Sequence, residues 1–139
     1  DAYQKGLGLL TAKKSEGAIA RFEEAIELHP SGTHIPSVKL SLGLALRKEK
    51  RPAEAAVYAE QVATQTADAA VQPDGWWLLA LCARDLGDLD TARAALRTLI
   101  NKWPRSALSR DARPLLREVT REAYAGKQQT TAAPASPAP

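Results

Sequence analysis

The chain repeats itself with a period of 37 residues, and this period constrains its fold more than any other feature. Ala18, Ala55 and Ala92 lie 37 residues apart, twice over. Other positions repeat in the same register and hold only small residues: Gly6, Gly43 and Ala80 at one phase, and Gly8, Ala45 and Cys82 at another. A fixed period of about 20–50 residues is typical of stacked units that cannot bury their apolar faces alone. The period therefore predicts a repeat array whose function depends on a surface.

Each repeat is predicted to contain two helices. Apolar residues such as Ile19, Phe22 and Ile26 recur at helical spacing, and Pro30 ends that segment. Pro52 suits the first turn of a helix, and Gly87 suits the residue after a helix end. Asp74 is expected to be the N-cap of a helix, and Asp88 is expected to start the next helix after Gly87. The predicted pairs span 3–13 with 16–29, 35–48 with 52–66, and 74–86 with 89–103.

These units resemble the tetratricopeptide repeat (TPR) family over residues 2–104. The resemblance is carried by Gly6-Leu7-Gly8, Ala18, Phe22, Ala25 and Pro30, by Leu42-Gly43, Ala45 and Ala55, and by Trp76, Leu79-Ala80, Gly87, Ala92 and Pro104. It implies an all-α fold, a right-handed α-solenoid of three TPR-like helix pairs plus a C-terminal capping helix. The usual TPR period is about 34 residues, so the turns between units are longer here.

The longer turns are similar to those of a bacterial envelope branch of the TPR family. That branch includes Tol–Pal-associated periplasmic proteins and outer-membrane assembly lipoproteins. The matching turns in this chain are His29-Pro30-Ser31 and Trp103-Pro104-Arg105-Ser106. The compartment stays open between the bacterial periplasm or envelope and the cytoplasm, because we expect no targeting region within this chain, which begins inside the first helical pattern.

The chain after the third pair is expected to divide into a helix and a tail. Residues 106–124 carry an apolar stripe that includes Leu115, Leu116 and Val119, as a terminal element with one polar face requires. Pro114 is expected to kink or split this helix near Arg113. Residues 126–139 have little to bury. We therefore predict a helical repeat domain over 1–125 and a disordered Ala/Pro-rich tail or linker over 126–139.

The sequence contains no arrangement of residues that indicates catalysis, a metal site or a cofactor. His29 and His34 flank a turn with Glu27 as the only nearby candidate ligand. Cys82 is the single cysteine and occupies a small-residue phase, so we interpret it as a buried spacer rather than a nucleophile. The run Gly6-Leu7-Gly8 lies within a predicted helix and cannot form a phosphate-binding loop. We expect a protein that is not an enzyme.

Charge and hydropathy argue against a nucleic-acid partner and against membrane insertion. The net charge is +3, and the basic residues cluster over 102–127 and at Arg47, Lys48, Lys50 and Arg51. No aromatic residues interleave with them, as single-strand binding favours, and cations near helix C-termini are stabilising in any case. No apolar run approaches the ~18 residues that mark a membrane-spanning helix.

The expected function is binding of a protein or peptide partner in the concave groove that the TPR resemblance implies. In that family the first helix of each pair lines the groove. Its outward residues here would be Tyr3, Leu7, Leu10, Leu40, Ser41, Leu44, Arg47, Trp77, Leu81 and Arg84. The leucines suggest an apolar partner segment such as an amphipathic helix. Some members clamp a C-terminal carboxylate with Lys, Asn and Arg, but the matching positions here hold Tyr3, Leu7, Ser41, Asp74 and Leu78.

Two alternatives stay open at this point. Adjacent residues on a helix point about 100° apart, so Trp76 would pack between helices while Trp77 faces the groove as an aromatic anchor. The alternative for Trp77 is packing against the neighbouring unit.

The alternative function is self-assembly into a homo-oligomer through the open end of the repeat stack. A nucleic-acid adaptor that uses the basic C-terminal helix is the weakest of the three functional hypotheses.

Overall fold

The computed structural model describes residues 2–11, 14–65 and 68–132, and these ranges contain helices and no strand. The helices, in chain order, are α1 (Ala2–Thr11), α2 (Ser15–Leu28), α3 (Ile35–Lys48), α4 (Pro52–Thr64), α5 (Gln72–Asp85), α6 (Leu89–Lys102) and α7 (Ala107–Ala132). The predicted seven helices are thus confirmed. Within the same ranges, no helix is long and apolar enough to span a membrane.

The helices form three antiparallel pairs, α1 with α2, α3 with α4 and α5 with α6, and each pair packs on the next. The first helices of neighbouring pairs also contact one another, α1 with α3 and α3 with α5, and α5 contacts α7 in the same way. In the described part of the chain, the second helices α2, α4 and α6 make no such contacts with each other. The stack therefore curves towards its first helices, which line the inner side.

Two clusters of buried apolar side chains form a continuous core because α5 contributes to both. Leu78 and Cys82 of α5 belong to one cluster, and Ala80 and Ala83 to the other. The first core cluster comprises Ala18, Ile19, Phe22, Ala25, Val38, Leu42, Ala45, Leu46, Ala55, Ala59, Leu78 and Cys82. The second core cluster comprises Ala80, Ala83, Ala92, Ala95, Leu96, Leu99, Ala112 and Val119. No unit has a core of its own, as the 37-residue period predicts.

Shared small residues mark close helix contacts at most but not all of the repeat positions. A Cβ atom on Gly43 would lie 2.6 Å from Cδ2 of Leu78, and one on Gly6 would lie 2.6 Å from Cε1 of Phe22. Ala45 and Cys82 are fully buried. Gly8 shares their phase but is exposed, and nothing lies within 4 Å of its absent Cβ. The crossing argument fails there because no described helix packs on that face of α1.

The turns within the second and third pairs follow one geometry with two different residues, Lys50 and Gly87. Gly87 has φ of +79°, and Lys50, 37 residues earlier, has φ of +60°. In both turns the residue after this one donates its backbone N–H to a carbonyl of the preceding helix, from Arg51 to Leu46 and from Asp88 to Ala83. This left-handed C-terminal geometry favours glycine. Lys50 therefore adopts a backbone conformation that its side chain disfavours.

Asp88 stands at the start of a helix as expected, where it is the N-cap, whereas the predicted N-cap Asp74 is not one. Asp88 precedes α6, and its Oδ1 accepts a hydrogen bond from the backbone nitrogen of Thr91 at 3.2 Å. Asp74 lies inside the first turn of α5, whose N-cap is Val71. The difference arises because Pro73 also occupies the first turn, where its missing N–H removes no helical hydrogen bond.

The last helix differs from expectation in two respects. α7 continues through Pro114 without splitting, because Ala112 and Val119 on either side of it are both fully buried in the second core cluster. It also continues beyond residue 125, so the first seven residues of the predicted tail, 126–132, are helical. The predicted tail over 133–139 lies outside the described residues, and the division into domain and tail stays a prediction.

A buried serine attaches the start of α7 to the end of α6. Oγ of Ser109 donates to the carbonyl oxygens of Leu99 at 3.1 Å and Trp103 at 2.6 Å, sharing one proton between them. Carbonyls at a helix C-terminus lack partners within the helix. Ser109 therefore stabilises the end of α6 and places α7 where the first helix of a fourth pair would lie.

Candidate partner-binding groove

The inner side of the array carries repeat-related side chains from successive first helices. Leu7, Leu44 and Leu81 share one phase of the period, and Arg47 and Arg84 share another. Because α1, α3 and α5 contact one another in order, each phase forms a row that runs across the helices. Two rows, one of leucines and one with arginines, thus lie side by side.

The predicted groove residues of α1 take part mainly in packing. Tyr3 is partly buried, and its ring centroid lies 6.0 Å from that of Phe22 with an interplanar angle of 48°. Leu7 is partly buried against the first core cluster. The backbone of Leu10 is helical, but its side chain lies outside what the structure describes. Tyr3 and Leu7 therefore contribute to packing more than to an accessible surface.

The predicted groove residues of α3 offer an accessible apolar surface. Leu44 is 44% exposed and is one of five large apolar side chains that are exposed among the described residues. Leu40 is partly buried and packs against the first core cluster, and Ser41 is partly buried beside it in the sequence. The exposed part of this surface is therefore centred on Leu44.

The two adjacent tryptophans do not divide cleanly into one core residue and one groove residue. Trp76 and Trp77 are both partly buried, and both pack against the second core cluster. Nε1 of Trp76 is buried without a hydrogen-bond partner. Trp77 thus has the packing environment that the sequence left open as its alternative, and a further contact with a partner stays a prediction. Leu81 is partly buried.

The two predicted groove arginines are held by ion pairs that repeat with the period. Nε of Arg47 in α3 donates to Oδ2 of Asp85 in α5 at 2.7 Å. Arg84 in α5 donates to Glu122 in α7 and lies 3.5 Å from Oε2 of Glu118. The carboxylates raise the pKa of the Arg84 guanidinium, chiefly through the hydrogen bond that Arg84 donates to Glu122. These pairs join α3 to α5 and α5 to α7, and they orient the arginines along the inner side.

Sequence reasoning missed the acidic partners and the share that α7 contributes. Asp85 and Glu122 are 37 residues apart, as are Arg84 and Arg121. Arg121 is exposed and forms no ion pair in the described part of the chain. Extending the 37-residue register past residue 104 would have found these positions, but the segment was interpreted as a cap and left outside the repeat.

The remaining chemistry-bearing side chains do not form a reactive site. Cys82 is fully buried, and burial raises the pKa of its thiol to about 11. This agrees with its interpretation as a spacer. His29 and His34 are exposed in the turn between α2 and α3. Among the described residues, no group of three or more His, Cys, Asp or Glu side chains could hold a metal ion.

The structure is similar to solved TPR domains at low sequence identity. The first TPR of Spaghetti (RPAP3), solved with an HSP90 peptide, is 15% identical and superposes with a TM-score of 0.75, covering 88% of this chain and 90% of that one. The Sgt2 TPR domain from Aspergillus fumigatus is 18% identical, with a TM-score of 0.73 and coverage of 99% and 84%. The C-terminal TPR-containing domain of a Plasmodium falciparum FK506-binding protein is 17% identical, with a TM-score of 0.68 and 89% coverage of each chain.

The TM-scores of these similarities establish the TPR fold. They establish the fold alone, because all three sequence identities are below 25%. No significant match is found among curated protein sequences. The family of outer membrane lipoproteins named YfiO matches residues 1–133, which is nearly the whole chain. The resemblance in the inter-unit turns to a bacterial envelope branch agrees with this match. The chain belongs to the YfiO family of outer membrane lipoproteins.

Proposed function

We propose that this chain is a non-catalytic scaffold of the bacterial envelope that binds a partner polypeptide along the inner side of its helical array. The observation that carries this proposal is the exposure of Leu44, at 44%, within a row of leucines beside a row of ion-paired arginines. Exposed apolar groups with a charged border are typical of protein-binding surfaces. The family membership and the fold support the same role.

The partner we infer is an amphipathic segment rather than a C-terminal carboxylate. The Spaghetti domain was solved with an HSP90 peptide that ends in EEVD. The matching clamp positions here hold Tyr3, Leu7 and Ser41 in the first two units, and none of these side chains carries a positive charge. Apolar residues at helical spacing on the partner would instead contact Leu44 and the partly buried Leu40 and Leu81.

A pair of matched variants tests this proposal. The chain is screened against a display library of amphipathic peptides, and the selected peptides are titrated into Leu44→Asp and Val57→Asp. Val57 is 54% exposed on the second helix α4, so both substitutions place a carboxylate on an already exposed apolar position. We expect Leu44→Asp to weaken binding at least tenfold and Val57→Asp to change it little. Equal effects, or selection of no peptide that Leu44→Asp disrupts, would refute the proposed surface.

Self-assembly is the second candidate, and one observation favours it. Gly8 is exposed with open space around it, whereas its counterparts Ala45 and Cys82 are fully buried by neighbouring helices. A second copy covering that face of α1 would restore the burial that the other units have. Sedimentation at increasing protein concentration, comparing the parent chain with Gly8→Arg, would detect such an association.

A further inference from the structure

A pocket of about 310 Å³ opens at the N-terminal end of the array, away from the leucine and arginine rows. It lies between the start of α1, the end of α2 and the turn into α3. Buried apolar side chains of Ala25, Ile35 and Val38 contribute to its lining. His29 and His34, both exposed, lie in the turn at its edge. We call this cavity the N-terminal pocket.

The corresponding place in the third unit is filled by the chain's own side chains. Two periods, or 74 residues, separate Ala2 from Trp76, His29 from Trp103, and His34 from Leu108.

In the third unit these larger residues pack against the second core cluster. That cluster includes Leu99 and Ala112, which correspond by the same 74-residue shift to Ala25 and Val38 of the pocket lining. The N-terminal pocket is thus the space that an indole and its neighbours occupy elsewhere in the same array.

The entrance to the pocket is also more apolar than its counterparts. Leu28 lines the pocket and is 61% exposed. The residues at the same phase in the later units are Gln65 and Lys102. A single exposed leucine is common on protein surfaces, but here it coincides with smaller residues, Ala2 and His29, at two positions that hold tryptophan in the third unit.

We propose that the N-terminal pocket binds a tryptophan-sized aromatic side chain presented by a partner polypeptide. Trp76 shows that the repeat geometry accommodates an indole at this phase. Trp76 lacks a hydrogen-bond partner for its Nε1, whereas His29 and His34 line the pocket, and a neutral imidazole nitrogen can accept from an indole N–H. The pocket therefore offers both the apolar contact and the polar partner that a tryptophan requires.

A second copy of this chain is a poor source of that side chain. Trp76, Trp77 and Trp103 are the only tryptophans of the chain, and all three are packed against the second core cluster. The one aromatic among the exposed large apolar residues described is Tyr124. A different polypeptide is therefore the occupant we infer, and this inference does not depend on binding at Leu44.

The test uses N-acetyl-tryptophanamide as the probe and nuclear magnetic resonance of the ¹⁵N-labelled chain as the readout. We expect saturable shifts of the backbone amides of Gly32, Thr33 and Ile35, and none with N-acetyl-alaninamide. Ala2→Trp supplies the missing indole from the chain itself and should weaken probe binding at least tenfold while preserving or raising the melting temperature. Leu28→Gln, which copies the second unit, should weaken it several-fold.

Two controls separate the outcomes. Leu44→Asp alters the groove and should leave the probe titration unchanged, so failure of the groove proposal is distinguishable from failure of this one. The inference is overturned if the probe causes no shifts near the pocket, or if Ala2→Trp binds it as well as the parent chain. It is also overturned if the pocket is filled by self-association that Tyr124→Ala abolishes.

Discussion

Arg47 and Asp85 are joined by a 2.7 Å hydrogen bond from Nε to Oδ2, and the same pairing recurs one period later between Arg84 and Glu122. Both side chains of the first pair are about one-third exposed. Exposed ion pairs contribute roughly 0.2–1 kcal/mol, and salt screens them.

We therefore expect a double-mutant cycle on Arg47→Ala and Asp85→Ala to give a coupling free energy below about 1 kcal/mol, decreasing at high salt. Urea unfolding at two salt concentrations measures it. A coupling of several kcal/mol that is insensitive to salt would contradict this account of the pair as a partly exposed contact.

The turn after α3 can be stabilised by a single substitution. Lys50 has φ of +60°, in the same geometry that Gly87 adopts one period later. A left-handed conformation costs a residue with a Cβ atom about 1–2 kcal/mol. Lys50→Gly should therefore raise the free energy of unfolding by about 1 kcal/mol, as measured by urea denaturation. Gly87→Ala is the matched control and should lower it by a similar amount. If both variants unfold like the parent chain, the two turns do not share this conformation in solution.

Two glycines on first helices should respond oppositely to an added methyl group. A Cβ on Gly75 would lie 2.6 Å from the backbone of Ala63, whereas nothing lies within 4 Å of a Cβ on Gly8. Because backbone atoms cannot move aside as a side chain can, Gly75→Ala should destabilise the fold by about 1–3 kcal/mol. Gly8→Ala should be neutral or stabilise the fold by up to about 1 kcal/mol through helix propensity. Thermal melting of both variants distinguishes them, and a loss at Gly8 would show that its face is covered in solution.

The thiol of Cys82 should be inert in the folded chain. It is fully buried, and burial raises its pKa to about 11, so the nucleophilic thiolate is scarce at pH 8. We expect iodoacetamide to modify Cys82 rapidly in concentrated urea and very slowly without urea, as followed by mass spectrometry. Equal rates in the two conditions would place Cys82 outside the core.

The cap at the start of α6 should stabilise the fold only above acidic pH. Hydrogen bonds from Thr91 lower the pKa of Asp88 in the folded chain. A carboxyl whose folded pKa lies below its unfolded value of about 3.9 stabilises the fold above that value and loses the effect as the pH falls through the folded pKa. Asp88→Ala should therefore be less stable than the parent chain at pH 7, and the difference should shrink below about pH 4. Urea titrations at several pH values test this, and a difference that does not vary with pH would refute the charged cap.

The sequence alone was sufficient to predict the helices and their pairing, because the period and the turn residues are local signals. Pro52 and Gly87 mark their helix boundaries correctly. Pro114 was misleading, because the burial of Ala112 and Val119 holds α7 together across a residue that disfavours helix. Tertiary packing of this kind overrides a local preference and leaves no trace in a short window of sequence.

The candidate site was less accessible to prediction from sequence. Assigning residues to the inner side by phase brought Arg47 and Arg84 to the correct helices, but their acidic partners lie 38 residues away and became apparent only in three dimensions. The N-terminal pocket was missed because it arises where the third unit has tryptophans and the first unit has the smaller residues Ala2 and His29. The pocket could be recognised only from the three-dimensional packing of the helices, which leaves a volume between them.

The first helices contact one another along the inner side, whereas the second helices do not. The array is therefore curved, with contacting first helices along its inner edge and second helices that do not contact one another along its outer edge. Opening this curve separates groups on the inner edge first, and these include the pairs of Arg47 with Asp85 and of Arg84 with Glu122. Because those pairs are partly exposed and screened by salt, a higher ionic strength should slightly lower the cost of straightening the array, which would widen the groove offered to a partner.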